Sequence, residues 1–177
     1  MTCPAGLDSC AVGLTESSVG PVRVEVIVKG CTSSDSCKKG PIYANFGRGK
    51  ARGSVICCTG TACQRASPQL PPINATANGM RCPACYSLSS SCVTEVAYCT
   101  GSEIYCMDAH LHNDAGVLMD TTMKGCASEQ ICFGLKTGIN SFGKAQTGHC
   151  RAANKGSPVS GSILLVLSGI LATKVFF

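Results

Sequence analysis

The chain has no tryptophan, and its 177 residues hold only five phenylalanines and four tyrosines. A domain so poor in large apolar side chains cannot build an ordinary core and needs covalent staples. Catalytic groups are equally scarce. There are three histidines, no nucleophile elbow and no Ser/His/Asp spacing, which argues against an enzyme. Paired C-x2-C knuckles, or a C-x2-C followed by H-x3-5-H, are also missing, so no zinc finger is expected. The opening Met1-Thr2-Cys3-Pro4 lacks the charged and apolar regions of a secretory leader, which predicts unconventional export or a start that lies further upstream.

What the chain has instead is 15 cysteines. At this density they imply disulfides, each worth roughly 2–5 kcal/mol, and an oxidising extracellular compartment. That compartment excludes nucleic acid as a partner. The odd count leaves one thiol over.

The cysteines repeat. Lys29-Gly30-Cys31-Thr32-Ser33-Ser34-Asp35-Ser36-Cys37 and Lys124-Gly125-Cys126-Ala127-Ser128-Glu129-Gln130-Ile131-Cys132 both read K-G-C-x-S-x3-C, 95 residues apart. Cys3 and Cys10 recur as Cys99 and Cys106 at an offset of 96, and Cys57 recurs as Cys150 at 93. An offset held that closely means two copies of one cysteine-framed unit. The first spans 1–63 and the second 82–151. Between them a cysteine-free stretch, 64–81, with Pro68, Pro71, Pro72, Asn78 and Gly79 reads as an exposed linker. A polar-then-apolar tail covers 152–177.

Val22, Val24, Val26 and Val28 alternate with Arg23, Glu25, Ile27 and Lys29, the period of a half-buried strand. The segments Ala11–Gly30, Lys38–Ile56, Met107–Gly125 and Phe133–His149 run 17–20 residues with turn formers near their middles. Each has the length of a two-stranded excursion anchored at a disulfide knot.

The order C-x2-C, C-x6-C, C-x6-C, K-G-C-x5-C, and C-C-x4-C resembles the lymphocyte-antigen-6/urokinase-receptor (LU) domain, an all-β, disulfide-rich three-finger fold. Cys82 to Cys150 supply its front and Cys3 to Cys63 its back. Among two-domain members the chain is similar to the gamma-type phospholipase A2 inhibitors and their Ly-6/PLAUR-domain relatives. The segments K-G-C-T-S-S-D-S-C-K-K-G, V-I-C-C-T-G-T-A-C, L-P-P-I-N-A-T-A-N-G-M-R-C-P-A-C and M-K-G-C-A-S carry that likeness. Set against the family pattern, the first unit begins at the fourth cysteine, without its first finger, and the second lacks the closing cysteine pair. The family order implies the bridges Cys3–Cys31, Cys37–Cys57, Cys58–Cys63, Cys82–Cys106, Cys85–Cys92, Cys99–Cys126 and Cys132–Cys150. It leaves Cys10 unpaired. The resemblance implies a non-catalytic extracellular binding protein with no cofactor. It would cover the surface of a protein partner, a secreted phospholipase A2; the alternative is a GPI-anchored cell-surface receptor or adhesion protein. An oligomer is compatible with either.

Several motifs have plainer readings beside the functional ones. Cys82-Pro83-Ala84-Cys85 has the spacing of a redox pair but not the strand-then-helix context, which favours structural disulfides. His110 and His112, with Asp108 and Asp114, are candidate metal ligands set against solvated histidines on a polar hairpin, and the second reading is favoured. Lys38, Lys39, Arg48, Lys50 and Arg52 place five cations and no acid in fifteen residues, with Tyr43 and Phe46 between them. This basic finger steers toward an acidic protein face or is simply solvated. Asn74-Ala75-Thr76 is a glycosylation sequon. Ala152, Ala153 and Asn154, a polar spacer and the apolar Ile163–Phe177 match a GPI-attachment signal, with Lys174 as its weak point. The apolar run is short of the roughly 20 residues of a spanning helix.

Overall fold

The computed structural model describes residues 3, 6–19, 22–111, 120–137 and 145–155. His112, Asp114 and the tail from 156 onward lie outside the described residues. The fold is antiparallel β, organised as hairpins on disulfides. In the first half β1 (Ser9–Ser17) and β2 (Val24–Thr32) form one finger, and β3 (Ile42–Asn45) and β4 (Lys50–Cys58) the next. A short helical turn, α1 (Ala62–Arg65), follows. In the second half β5 (Ala77–Ser87) pairs with β6 (Glu95–Thr100), and β7 (Tyr105–Leu111) pairs with β8 (Thr121–Ala127). Then come α2 (Glu129–Thr137), β9 (Ala145–Ala152) on the free side of β7, and the two-residue β10 (Asn154–Lys155) on β5.

Seven disulfides close the knots: Cys3–Cys31, Cys37–Cys57, Cys58–Cys63, Cys82–Cys106, Cys85–Cys92, Cys99–Cys126 and Cys132–Cys150. Cys10 is a free, half-buried thiol opposite Cys31 in the β1/β2 register, with its Sγ 3.8 Å from Cys3 Sγ. Cys82 and Cys85 bridge to different partners, so the C-P-A-C motif is not a redox pair.

Two clusters fill the interior. One is cystine-rich, built of Cys82, Ala84, Ala97, Cys99, Cys106 and Cys126, and belongs to the second half. The other combines Ile42, Ala44, Phe46 and Ala51 of the first half with Met107, Ala109, Met123, Ala127 and Ile131 of the second. Both halves draw on this shared cluster because each has too few large apolar residues to enclose its own. The sheet is continuous through the same place. Ala44 and Asn45 of β3 pair with Ala127 and Cys126 of β8, and Tyr43 N–H donates to Ser128 Oγ (3.0 Å). Gly125 makes this approach possible, since a Cβ there would collide with the Asn45 backbone carbonyl.

Two expectations are corrected. Phe133–His149 is not a two-stranded excursion, because its outgoing limb continues α2. Glu129 in the first turn and Lys136 in the last suit the helix dipole, and Ile131 and Leu135 share its inner face, with Ile131 buried in the common core. The valine segment is a strand from Val24 onward, but it is not half-buried. Val24, Val26, Val28 and Ile27 are all exposed, on both faces, because among the described residues β2 pairs with β1 alone.

Candidate functional site

The basic finger is less free than its charge count suggests. Arg52 lies partly buried on β4, its Nε donating to Glu16 Oε1 of β1 (2.9 Å) and its Nη1 to the Pro71 carbonyl (2.7 Å). The Arg52 hydrogen bond holds the Glu16 carboxyl below its ordinary range, against the opposing effect of burial, and the same pair raises Arg52. Lys39 reaches α2, binding Glu129 at 2.9 Å and lying 5.4 Å from the Phe133 ring centre. The Glu129 contact raises its pKa. Lys38 is tied to Asp35 at 3.0 Å on the surface, where such a pair contributes little. Arg48, at the turn between β3 and β4, is almost fully exposed and makes a loose 3.6 Å contact with Glu95. Lys50 is exposed beside it. Of the five candidates, Arg48 and Lys50 therefore remain most available, while Arg52 and Lys39 hold elements together.

The same finger turns a polar cleft toward the second half. Glu16, Arg23, Tyr43, Lys50, Arg52, Asn74, Thr100 and Glu103 contribute to its wall. Glu103 is buried and accepts a hydrogen bond from Thr100 N–H (2.8 Å). Burial raises its pKa, partly offset by the Thr100 bond and the charge of Lys50. Burial likewise raises Tyr43, whose hydroxyl donates to the Pro72 carbonyl (2.9 Å). Together with Ser54 Oγ donating to the Gln69 carbonyl (2.6 Å), these contacts strap the proline-rich stretch to the first half. Asn74 is exposed on that strap, its Oδ1 accepting from Thr76 N–H (3.0 Å), so a glycan on its Nδ2 would leave at the rim of the cleft.

The histidine reading resolves in part. His110 Nε2 lies 3.3 Å from Asp108 Oδ1, and its Nδ1 is 3.2 Å from Thr122 Oγ1, while Lys124 Nζ takes Asp108 Oδ2 at 2.9 Å. An ammonium at that carboxylate opposes a metal ion there. Ala152 ends β9, Ala153 N–H donates to the Ile104 carbonyl (2.9 Å), and Asn154 pairs with Arg81. The proposed anchor residues thus belong to the sheet.

Two features were missed in the sequence. One is the open apolar surface of β2, whose signal was Ile27 among the valines, since strict alternation would have put a polar residue there. The other is an apolar cavity between the halves, made by residues too far apart in the chain for any local pattern to show.

Residues 1–65 match the family model for phospholipase A2 inhibitor, and residues 78–155 match that for the u-PAR/Ly-6 domain. A phospholipase A2 inhibitor gamma subunit of Elaphe climacophora is 34% identical over 129 residues, 71% of this chain and 64% of the relative. Phospholipase A2 inhibitor NAI of Notechis ater is 31% identical over 140 residues, 74% of this chain and 67% of the relative. The phospholipase A2 inhibitor 25 kDa subunit of Naja kaouthia is 32% identical over 143 residues, 76% and 75% of the two chains. The chain spans about 64% of the length of the first relatives it matches. With its three-finger cystine framework and these matches over both halves, the chain belongs to the phospholipase A2 inhibitor family of u-PAR/Ly-6 domain proteins.

Proposed function

We propose that the protein binds a secreted phospholipase A2 and inhibits it without catalysis, by covering the surface with which the enzyme meets lipid. The observation that carries this reading is the open strand β2, whose Val24, Val26, Ile27 and Val28 stand exposed in a member of an inhibitor family. A lipid-facing enzyme surface is itself apolar and rimmed by charge, and an apolar strand with cations at its end is its complement. Val22 and Arg23 lie at the tip of the β1/β2 finger, and Val19 of that finger packs close to Gly49, next to Arg48 and Lys50. A contact of standard size needs roughly 800 Å² per partner, within reach of two fingers. Arg48 and Lys50 act chiefly on the association rate, because exposed charges steer encounter more than they hold the complex.

The reading places the protein outside the cell, with a glycan on Asn74. Among the described residues no helix is long and apolar enough to cross a membrane. A GPI anchor near Ala152, Ala153 or Asn154 belongs to the cell-surface alternative, and release from cells by a phosphatidylinositol-specific phospholipase C tests it. The inhibitor reading is tested by assaying lipid hydrolysis by a panel of secreted phospholipases A2 with micromolar protein. Inhibition lost in Val26→Asp/Val28→Asp supports it, and no inhibition of any enzyme overturns it.

A further inference from the structure

The two halves repeat in strand register as well as in cysteine spacing. Cys106 of β7 stands opposite Cys126 of β8 and Arg151 of β9, with Met107 opposite Cys150. Cys10 of β1 stands opposite Cys31 of β2 and Cys58 of β4, with Ala11 opposite Cys57. Strands β1, β2 and β4 therefore correspond to β7, β8 and β9, and Cys10 corresponds to Cys106. The sulfurs match too. Cys106 bridges Cys82, whose Sγ lies 3.6 Å from that of Cys99 in the Cys99–Cys126 bridge. Cys10 keeps a thiol 3.8 Å from Cys3 Sγ in the Cys3–Cys31 bridge.

The second half shows what a cysteine and a strand edge in this arrangement hold. Cys82 lies on β5, which runs on along β8, so that Cys85 pairs with Lys124, Tyr86 with Met123 and Ser87 with Thr122. Under β5, Cys106 and Met123 are buried. The corresponding edge of the first half is Lys29, Val28 and Ile27 of β2, which among the described residues pairs with β1 alone. There Cys10 is half-buried and Val28 exposed. Val28, Val26 and Val24 share one face. A strand laid antiparallel in the register of β5, its cysteine at the place of Cys82, would set its fourth, sixth and eighth following residues opposite these valines.

We propose that Cys10 and the open edge of β2 together capture, from another polypeptide, an extended segment carrying a disulfide-bonded cysteine followed by apolar residues at the fourth, sixth and eighth positions. The segment joins the sheet as an antiparallel strand, pairing the outer backbone groups of β2 and covering its valines. The Cys10 thiolate then attacks the segment's cysteine sulfur. A bond forms between the two cysteines, the segment's bond to its former thiol breaks, and that thiol leaves with the proton, so no oxidant is consumed. The edge is the one assigned above to a phospholipase, but capture does not depend on inhibition and its test uses no enzyme.

The probe is a synthetic peptide of residues 80–88 of this chain, with Cys85→Ser and with Cys82 as its mixed disulfide with glutathione. Tyr86 and Leu88 stand four and six residues after that cysteine. Mixed with the full chain at pH 8 and followed by intact mass, it should couple one to one, with the new bond mapped to Cys10 by digestion. Coupling should be about tenfold or more faster than for the same peptide with Tyr86→Ser/Leu88→Ser, or for oxidised glutathione, because docking raises the local concentration of the reacting sulfur. Val26→Ser/Val28→Ser in the protein should slow the parent peptide to the rate of its serine variant and leave the reaction with oxidised glutathione unchanged. Cys10→Ser should not couple. Coupling at Cys3 or Cys31, equal rates for the three probes, or an unchanged peptide rate in Val26→Ser/Val28→Ser overturns the proposal.

Discussion

Strands β2 and β8 carry the same K-G-C frame, yet one is open and the other enclosed. β8 has β7 along one side, and β5 and β3 along the other. Among the described residues β2 has β1 alone. Met123 is 3% exposed, and Val28, 95 residues earlier, is 45% exposed. The glycines of the two frames differ in the same way: Gly125 is pressed against the β3 backbone, and Gly30 faces open space. Strand burial is thus conferred by neighbours. In the second half the frame builds a core, and in the first it presents a surface.

The sharpest way to break the comparison is at the join. Phe46 is 2% exposed, packs in the shared cluster and meets the Tyr86 ring at 6.0 Å. Phe46→Ala should cost about 4 kcal/mol. Its cavity is shared, so both halves should lose stability in one urea transition rather than two. The paired glycines come next. Gly125→Ala must push β3 away from β8 and should cost about 3 kcal/mol, whereas Gly30→Ala should shift the midpoint by no more than about 0.5 kcal/mol. Equal effects would erase the distinction between the frames.

Arg52→Ala removes hydrogen bonds to Glu16 and Pro71 and leaves a buried carboxylate with only the looser 3.5 Å contact to Arg23. A loss of about 2 kcal/mol is expected in chemical denaturation. It should shrink under acid, because Glu16 titrates low when folded. The stability of that pair is present above the ordinary value of 4.5 and is lost as pH falls through the lowered one. Glu103 has the opposite sign. Its raised pKa means folding favours the protonated form, so that contribution is full below 4.5 and is lost as pH rises through the folded value. Glu103→Gln should therefore melt higher than the parent at pH 7, with the gap closing below pH 4.5. Smallest of all, Arg48→Gln/Lys50→Gln should slow association with a phospholipase and flatten its salt dependence, leaving dissociation and melting temperature nearly unchanged.

How much of this was legible depends on the kind of signal. The cysteine spacing carried the fold because seven bridges fix which segments meet, and the bridges join the pairs that the family order implies. Helix α2 was hidden because the two frames share their cysteines while the residues between them differ. Glu129-Gln130-Ile131 propagates a helix where Ser34-Asp35-Ser36 permits only a single tight turn at Ser36–Lys38. The basic finger was read for its charges, although Ile42, Ala44 and Phe46 within it hold the halves together. Arg52 counted as a surface cation because nothing local showed that Glu16, 36 residues away, would meet it. The cavity depends on β2, β7 and α2 converging, which no single stretch encodes.

Hydrogen exchange measured with and without a secreted phospholipase A2 tests the open-strand account most directly. In the free protein the β8 amides should be protected to the level of global unfolding, and the amides on the outer edge of β2 should exchange freely. Adding the enzyme should protect Val22 to Val28 and the Arg48 turn while leaving β8 unchanged. Equal protection of β2 and β8 in the free protein, or enzyme-induced protection confined to the second half, would contradict it.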